Sequence, residues 1–260
     1  MADRKSVLRV LSYLPNPRVA KAQIAAEYCG VVVEVVGTEP AKMNEWLWDF
    51  DARELTADER TEESPFARKS KRGFAGTLYK TDAFLEAHPM GTVPAAFSPD
   101  GSIGIFESNS ILRAVARAGE SDHGLYGRGG YDASRIDSFL DACLVFAREA
   151  QVYLLALKKM TPATHERMAG AYEFLFAGVE RALERDEYLA GDQLSLADIG
   201  FVCDALQFMR ERRAGEYLSQ KGLEPISADT AVDFPRTVRH IESLCEREPF
   251  RRHLGGLVKP

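Results

Sequence analysis

Residues 91–118 read GTVPAAFSPDGSIGIFESNSILRAVARA, and this stretch decides the predicted fold. A short apolar strand at 94–97 leads into the turn-forming PDG at 99–101, and a second strand follows at 103–106. The next residues, ESN, open a helix with apolar residues at helical spacing, because serine and asparagine are favoured helix caps. The pattern predicts a β-hairpin that leads directly into a helix.

The start of this helix has the chemistry of a binding site. A helix N-terminus presents unpaired N–H groups and the positive end of a dipole, so it attracts a carboxylate. Ser108 adds a hydroxyl donor, and Glu107 adds an acceptor for a ligand ammonium. Val93 and Pro94 offer a strand edge beside it where a peptide backbone could pair, because proline has no N–H to give to a sheet partner. Together these residues suit a small peptide that carries an amino-acid head group.

The preceding residues predict the rest of an α/β domain. Residues 7–12 read as a strand, and 18–28 read as a helix that ends at Gly30. The β-branched run at 31–36 is typical of a strand buried on both faces. Strand, helix, strand, hairpin and helix follow one another in the order of a thioredoxin-like fold. We place this domain at residues 1–120.

Residues 37–80 form an insertion that is longer than such a domain requires. The stretch NEWLWDFDAREL at 44–55 predicts a short amphipathic helix with Trp46, Leu47 and Phe50 on overlapping faces. An acidic stretch and then a basic stretch follow it. A loop of this length in a compact domain is usually a lid, a binding loop or partly disordered. We expect either a solvated insertion without a chemical role or a flap over a substrate cleft.

The second half predicts an all-helical domain at residues 131–260. A long helical pattern covers 132–159, and a further helix begins after Thr161, a threonine cap followed by proline at the first helical position. Two shorter helices are predicted at 232–244 and 249–254. The expected architecture is therefore an α/β domain followed by an all-α domain.

Ser195 and Asp198 have the S-x-x-D spacing of a capping box, in which side chain and backbone satisfy each other's unpaired groups. The apolar sequence that follows predicts a buried helix, so its first amides would otherwise lie unpaired away from water. We expect replacement of either residue by alanine to cost about 1–2 kcal/mol.

The composition argues against several classes of function. A net charge of −6 disfavours a general affinity for nucleic acid, which needs a basic face. The four cysteines are widely spaced without a C-x-x-C pair, and the histidines lack metal-ligand spacing, so we expect reduced thiols and no metal site. The N-terminal MADRKSVLRV lacks the apolar core of a signal peptide, and no apolar run approaches the ~20 residues that span a bilayer. We expect a cytoplasmic protein without nucleic-acid or membrane partners.

The hairpin and helix resemble the glutathione-binding half of the thioredoxin-like domain of glutathione transferases. V-P-A-x-F, a turn, a strand that ends in F-E-S-N and an apolar helix occur here in the order of that family. YLPNPRVAKAQIAAEYCG at 13–30 and CEREPFRRHLGGLVKP at 245–260 extend the likeness over nearly the whole chain. These stretches are most similar to the transferase-like domain of the elongation factor one B gamma subunit, and phi-type and Asn-dependent transferases share much of the pattern. The insertion at 37–80 departs from all of them.

The resemblance implies a glutathione site. In the family the VP dipeptide carries a cis-proline, and the backbone before it, here at Val93–Pro94, pairs with the cysteinyl part of glutathione. The Glu-Ser pair, here Glu107–Ser108, holds the γ-glutamyl end. A basic residue shortly before the VP strand binds the glycyl carboxylate. The residues at the corresponding positions are Lys80, then His88 as a second candidate, with Thr92 in the place of a polar residue beside the VP.

Glutathione transfer also needs a thiolate. A free thiol with a pKa of about 8.5 is only slightly ionised at pH 7, and lowering that pKa by about two units needs roughly 2.7 kcal/mol. One or two hydrogen bonds at a helix N-terminus are of this size. The resemblance places the donor at Asn16, whose amide N–H could stabilise the sulfur but could not act as a base. Alternatively, Asn16 is only a turn residue and helix cap. Tyr13 and Ser12 are further candidate donors.

Two functions follow from the resemblance. The first is an enzyme that conjugates glutathione to a hydrophobic, aromatic electrophile or cleaves an ether or peroxide bond with it. The residues proposed to hold that substrate are Tyr13, Leu14, Arg18 and Phe139, although Arg18 could equally be solvated and Phe139 could equally be a core residue. The second function is a non-catalytic scaffold for protein interactions. No cysteine lies in residues 12–18, which disfavours a mixed-disulfide mechanism. By analogy with relatives we expect a homodimer.

Overall fold

The computed structural model describes residues 6–69, 76–119 and 124–258, with side chains as far as residue 256. The chain divides into two compact units, Met1–Ser121 and Asp122–Pro260. The described part of the first unit mixes strands and helices, and that of the second is almost entirely helical. The predicted fold class, a thioredoxin-like domain followed by an all-helical domain, is confirmed.

The described residues of the first unit form two sheets. Its strands are β1 Ser6–Tyr13, β2 Val32–Thr38, β3 Trp46–Trp48, β4 Arg53–Glu54, β5 Ala67–Lys69, β6 Thr77–Lys80, β7 Ala95–Phe97 and β8 Gly104–Phe106. Its helices are α1 Pro17–Cys29, α2 Asp82–Ala87 and α3 Ser108–Ala118, with 3₁₀ turns at Pro40–Glu45 and Ala57–Glu59. The first sheet has the strand order β2-β1-β7-β8, and the second has the order β4-β3-β6-β5.

The first sheet is the thioredoxin-like part. β1 pairs parallel with β2 and antiparallel with β7, and β7 pairs antiparallel with β8. The predicted helix is present as α1, and Gly30 closes it with φ 64 in the left-handed region, where glycine avoids the Cβ clash. The expectation for 31–36 was wrong, because β2 is an edge strand and Val32 is 41% exposed. A β-branched run indicates a strand, but it does not fix the strand's place in the sheet.

The insertion forms the second sheet instead of the predicted amphipathic helix. The prediction for 44–55 was wrong because the apolar residues alternate with a period of two, as strand side chains do. Trp48 packs into the cluster shared with the first sheet, whereas Leu47 packs on the opposite face with Leu55 and Tyr79. Both faces of β3 are therefore covered.

The insertion is part of the core of the first unit. Trp48 is fully buried, and its indole N–H donates to the Met43 carbonyl oxygen at 2.9 Å. The cluster around it joins residues of the insertion to residues of β1, α2 and β7. Its buried members are Leu11, Met43, Trp48, Ala52, Leu78, Phe84, Ala95 and Phe97. The insertion is therefore anchored in the core through Met43, Trp48, Ala52 and Leu78, and a role as a flap over a substrate cleft stays a prediction.

The second unit is a helical bundle. Its helices are α4 Gly130–Ala156, α5 Pro162–Ala182, α6 Leu196–Met209, α7 Gly215–Ser219, α8 Thr230–Asp233, α9 Pro235–Glu246 and α10 Glu248–Val258. Thr161 caps α5 by accepting from the Thr164 N–H, as predicted. The single helix predicted at 232–244 is two helices, because Pro235 begins a new one.

The predicted capping box opens α6. The Asp198 carboxylate accepts from the Ser195 N–H and hydroxyl, both at 2.9 Å. The sequence did not reveal two further donors to the same carboxylate, the Leu189 N–H at 2.9 Å and His240 Nε2 at 3.0 Å. Asp198 therefore joins the start of α6 to the loop before it and to α9.

No helix among the described residues is both long and apolar enough to cross a membrane. Among the described residues, no three histidine, cysteine, aspartate or glutamate side chains lie close enough together to hold a metal ion. The cysteines among them carry no disulfide, and burial raises the pKa of the Cys29 thiol.

Candidate functional site

The loop before β7 leaves a peptide backbone open for pairing. The Val93–Pro94 peptide is cis, Pro94 is buried and Val93 is half-buried. Within the described residues, the Val93 N–H and C=O form no hydrogen bond. The backbone beside the cis-proline therefore retains one donor and one acceptor, and its pairing with an extended ligand stays a prediction.

The start of α3 lies at the end of the same hairpin. Glu107 is exposed and has φ 66, and its carbonyl oxygen accepts from the Ser110 and Ile111 N–H groups at 2.9 and 3.0 Å. This conformation turns the chain from β8 into the helix without a linker. Ser108 is 8% exposed, and its N–H, in the first turn, is free of partners within the described residues. The structure thus brings Glu107 and Ser108 to the start of α3, which follows β8 directly.

Lys80 and His88 both hold the loop that precedes the cis-proline. Lys80 Nζ donates to the Gly91 carbonyl oxygen at 2.6 Å, and the Gly91 N–H donates to His88 Nδ1 at 3.0 Å. Gly91 has φ +58, and a Cβ there would lie 3.0 Å from Leu85 Cδ2. Thr92, the next residue, is exposed. The two candidates for the glycyl carboxylate are therefore side chains that position Gly91.

Both basic groups are partly or wholly removed from water. Burial lowers the pKa of the Lys80 ammonium, and the charge of Arg68 lowers it further. Burial also lowers the pKa of His88, which is fully buried between the Phe84 and Phe106 rings. Because His88 Nδ1 accepts a hydrogen bond, the neutral ring carries its proton on Nε2. Lys80 keeps two further N–H groups, so binding of a carboxylate by Lys80 stays a prediction.

The loop after β1 holds the predicted sulfur-stabilising residues. Asn16 Oδ1 accepts from the Arg18 N–H at 3.0 Å and caps α1, while Asn16 Nδ2 donates to Ser12 Oγ at 3.0 Å. Ser12 is fully buried and Asn16 is 5% exposed. Tyr13 packs half-buried on the core cluster that contains Trp48. The helix-cap role of Asn16 is thus present in the structure, and its contact with a thiolate stays a prediction.

The predicted substrate-binding residues divide between the two units. Tyr13, Leu14 and Arg18 lie in the first unit, where the Leu14 N–H donates to the Thr38 carbonyl oxygen at 2.8 Å. Phe139 lies on α4 in the second unit, half-buried, with the Arg135 guanidinium 4.7 Å from its ring centroid. Phe139 there lines a groove of about 640 Å³ between α4 and α5.

One residue of the site was missed by the sequence analysis. Lys21 on α1 is fully buried, and its Nζ donates to Asn109 Oδ1 at 2.8 Å and lies 3.4 Å from Ser108 Oγ. The available signal was a lysine within the apolar run VAKAQIAA, on the side of α1 that carries Ile24 and Ala25. A buried lysine needs a partner, and nothing in the sequence alone indicated that the partner was 88 residues away.

Comparison with known proteins agrees with this architecture. A family model described as "Glutathione S-transferase, C-terminal domain" matches residues 140–248. Elongation factor 1-gamma 2 of Oryza sativa subsp. japonica is 24% identical over 249 residues, which cover 93% of this chain and 47% of that relative. Glutathione S-transferase F9 of Arabidopsis thaliana is 32% identical over 143 residues, which cover 48% of this chain and 61% of that relative.

Solved structures match over almost the whole chain. The glutathione transferase URE2P8 from Phanerochaete chrysosporium, solved with oxidized glutathione, has a TM-score of 0.67 at 17% identity and covers 99% of this chain and 98% of its own. At this identity the likeness shows the fold alone. This chain spans about half the length of the elongation factor relatives, 47% of the first of them. These matches place residues 140–248 in the glutathione S-transferase C-terminal domain family and show that the chain as a whole is similar to elongation factor 1-gamma and, in its fold, to cytosolic glutathione transferases.

Proposed function

We propose that this chain binds glutathione and transfers it to a hydrophobic, aromatic electrophile, or uses it to cleave an ether or peroxide bond. The proposal rests on two backbone positions at either end of the β7–β8 hairpin. The Val93 N–H and C=O before the hairpin and the Ser108 N–H after it have no hydrogen-bond partner within the described residues. An extended peptide can pair with the former, and a carboxylate suits the latter.

In this mechanism the protein positions the tripeptide and stabilises its sulfur as a thiolate. Val93 would pair with the cysteinyl backbone, and Ser108 and Glu107 would hold the γ-glutamyl end. Lys80 would contact the glycyl carboxylate, and Thr92 would be the polar residue beside the Val93–Pro94 backbone. The remaining amide hydrogen of Asn16 would donate to the sulfur, which then attacks the electrophile and expels the leaving group. Tyr13, Leu14 and Arg18, all in the first unit, are the proposed contacts of the electrophile. We further propose a cytoplasmic homodimer with domains at 1–120 and 131–260.

Titration calorimetry with glutathione and a conjugation assay with 1-chloro-2,4-dinitrobenzene test this function. Wild-type protein should bind and conjugate glutathione, and Ser108→Ala should weaken binding by about 10- to 100-fold, because a hydrogen bond to a carboxylate is worth roughly 1.5–3 kcal/mol. Ser110→Ala, in the same turn of α3, is the matched control and should leave binding unchanged. Unchanged affinity in Ser108→Ala would show that the proposed site is wrong.

The role of Asn16 has a separate test. If its amide stabilises the thiolate, Asn16→Ala should raise the pKa seen in the pH dependence of turnover, because the ionised sulfur loses a donor. Since Asn16 also caps α1, thermal unfolding of the variant shows how much structure is lost. If the pKa of the turnover profile is unchanged in Asn16→Ala, another group donates to the thiolate. Tyr13 would then be the next residue to test by substitution.

A second candidate function is a non-catalytic scaffold for protein interactions. It is favoured by the similarity to elongation factor 1-gamma 2, which covers 93% of this chain. The same assays separate the two functions. Glutathione binding with turnover supports the enzyme, whereas absence of turnover with the model electrophile and with an organic peroxide supports the scaffold.

A further inference from the structure

We infer that Lys21 is a positioning residue for the γ-glutamyl carboxylate, acting through Ser108 and Asn109 at the start of α3. The inference rests on the proposed glutathione site. It concerns Lys21 on α1, a residue that has no role in the proposed function. Lys21 would not touch the ligand. Its ammonium would set the direction in which Ser108 donates and raise the positive potential behind the anion.

The contacts of Lys21 fix the roles of its partners. The ammonium has three donors and no acceptor, so Ser108 Oγ and Asn109 Oδ1 can only accept from it. The 2.8 Å bond to Asn109 anchors the ammonium, and Ser108 Oγ lies within longer reach at 3.4 Å. With an oxygen lone pair of Ser108 facing Lys21, the hydroxyl hydrogen is free to turn towards another acceptor. A carboxylate at the helix N-terminus is such an acceptor.

Burial makes this arrangement strong. Lys21 is fully buried, Asn109 is 3% exposed and Ser108 is 8% exposed. Electrostatic interactions among buried groups are screened less by water and salt than those at the surface. The ammonium and the dipole of α3 both present positive potential at Ser108, so together they favour a negative ligand group over a neutral one. The expected consequence is selectivity for charge as well as shape.

A purely structural role for Lys21 makes a different prediction. In that case the Lys21–Asn109 bond only joins α1 to α3, and its loss would weaken every ligand of the site by a similar factor. In the positioning role, its loss weakens the ligand that carries the carboxylate more than the ligand that lacks it. Comparison of two ligands in two proteins separates the roles.

The experiment measures the affinity of glutathione and of its analogue with the γ-glutamyl α-carboxylate converted to an amide. In wild type, the amide should bind about tenfold more weakly than glutathione. Lys21→Met replaces the charged side chain by an unbranched neutral one. Its affinity for glutathione should fall about tenfold, and its affinity for the amide should fall less than about threefold. Lys21→Arg should restore most of the preference for the carboxylate. Lys42→Met, which removes an exposed lysine of the insertion, is the matched control and should resemble wild type.

Lys21→Gln provides a second variant if Lys21→Met does not fold, because glutamine can still donate to Asn109 without a charge. A wild-type protein that does not bind glutathione would overturn both the proposed function and this inference. If wild type binds glutathione, two results would overturn only the role of Lys21: the variants bind both ligands more weakly by the same factor, or their affinities are unchanged.

Discussion

Glu107 has a backbone conformation that a residue with a Cβ adopts at a cost. Its φ is 66 and its ψ is 125, and it is the one non-glycine residue with positive φ in the described part of the chain. Such conformations cost about 1–3 kcal/mol and are often kept where a side chain has a function. Replacement of Glu107 by glycine would relieve this strain and would also remove the carboxylate.

We therefore predict opposite effects of Glu107→Gly on stability and binding. The free energy of unfolding should rise by up to about 1 kcal/mol, because relief of strain exceeds the added entropy of glycine in the unfolded chain. Glutathione affinity should fall, because the acceptor for the ligand ammonium is gone. Urea unfolding and calorimetry on the same preparation measure both. A variant that is less stable than wild type would show that Glu107 is not strained.

His88 gives the first unit a defined dependence on pH. Burial lowers the pKa of His88 below its ordinary value of 6.5, so below that pH the unfolded chain binds more protons than the folded one. The stability contributed by the neutral ring is fully present above pH 6.5 and is lost as the pH falls below it. The slope of this loss is at most about 1.4 kcal/mol per pH unit.

His88→Asn should flatten this part of the stability curve, because asparagine can accept from the Gly91 N–H without titrating. Urea unfolding of wild type and variant at pH 7.5, 6.5 and 5.5 isolates the effect, since the other titrating groups are shared. Parallel curves for the two proteins would contradict the assignment.

At the scale of single elements, capping chemistry was easier to predict than sheet position. Gly30, Thr161 and the Ser195–Asp198 pair were placed correctly, because each cap involves residues a few positions apart. The sequence predicts that β2 is buried on both faces and that 44–55 is a helix, and both predictions are wrong. The place of a strand in a sheet and the partner of each face depend on distant residues, which local periodicity does not contain.

Asp198 should contribute more to stability than its helix cap alone. Ser195→Ala removes one partner in the box and should cost about 1–2 kcal/mol. Asp198→Ala also leaves the buried Leu189 N–H and His240 without their acceptor, so we expect a cost of about 3 kcal/mol or more. Chemical denaturation of the two variants compares them directly. Equal losses would mean that the link to His240 adds nothing to stability.

At the scale of the whole molecule, the order of elements was sufficient to predict the two-part architecture. The proposed glutathione site rests on residues 91–118 and on the family resemblance. The sequence could not show that Lys80 and His88 both hold Gly91, or that Lys21 lies behind Ser108, because these contacts cross between elements. The position of the insertion was hidden for the same reason, since Trp48 meets Leu11 and Phe97 only in the folded chain.

The insertion should unfold together with the first sheet. The chain has 2 tryptophans, Trp46 and Trp48, so Trp46→Phe leaves fluorescence that reports Trp48 alone. Because Trp48 shares a buried cluster with Leu11, its emission should shift at the urea concentration at which the β1 amides lose protection from hydrogen exchange. Leu11→Ala, which creates a cavity in that cluster, should lower the midpoint of the Trp48 signal by the equivalent of about 2–5 kcal/mol. If the Trp48 fluorescence instead changes at a lower urea concentration than the loss of β1 protection, and Leu11→Ala does not shift it, the insertion unfolds separately, as a flap would.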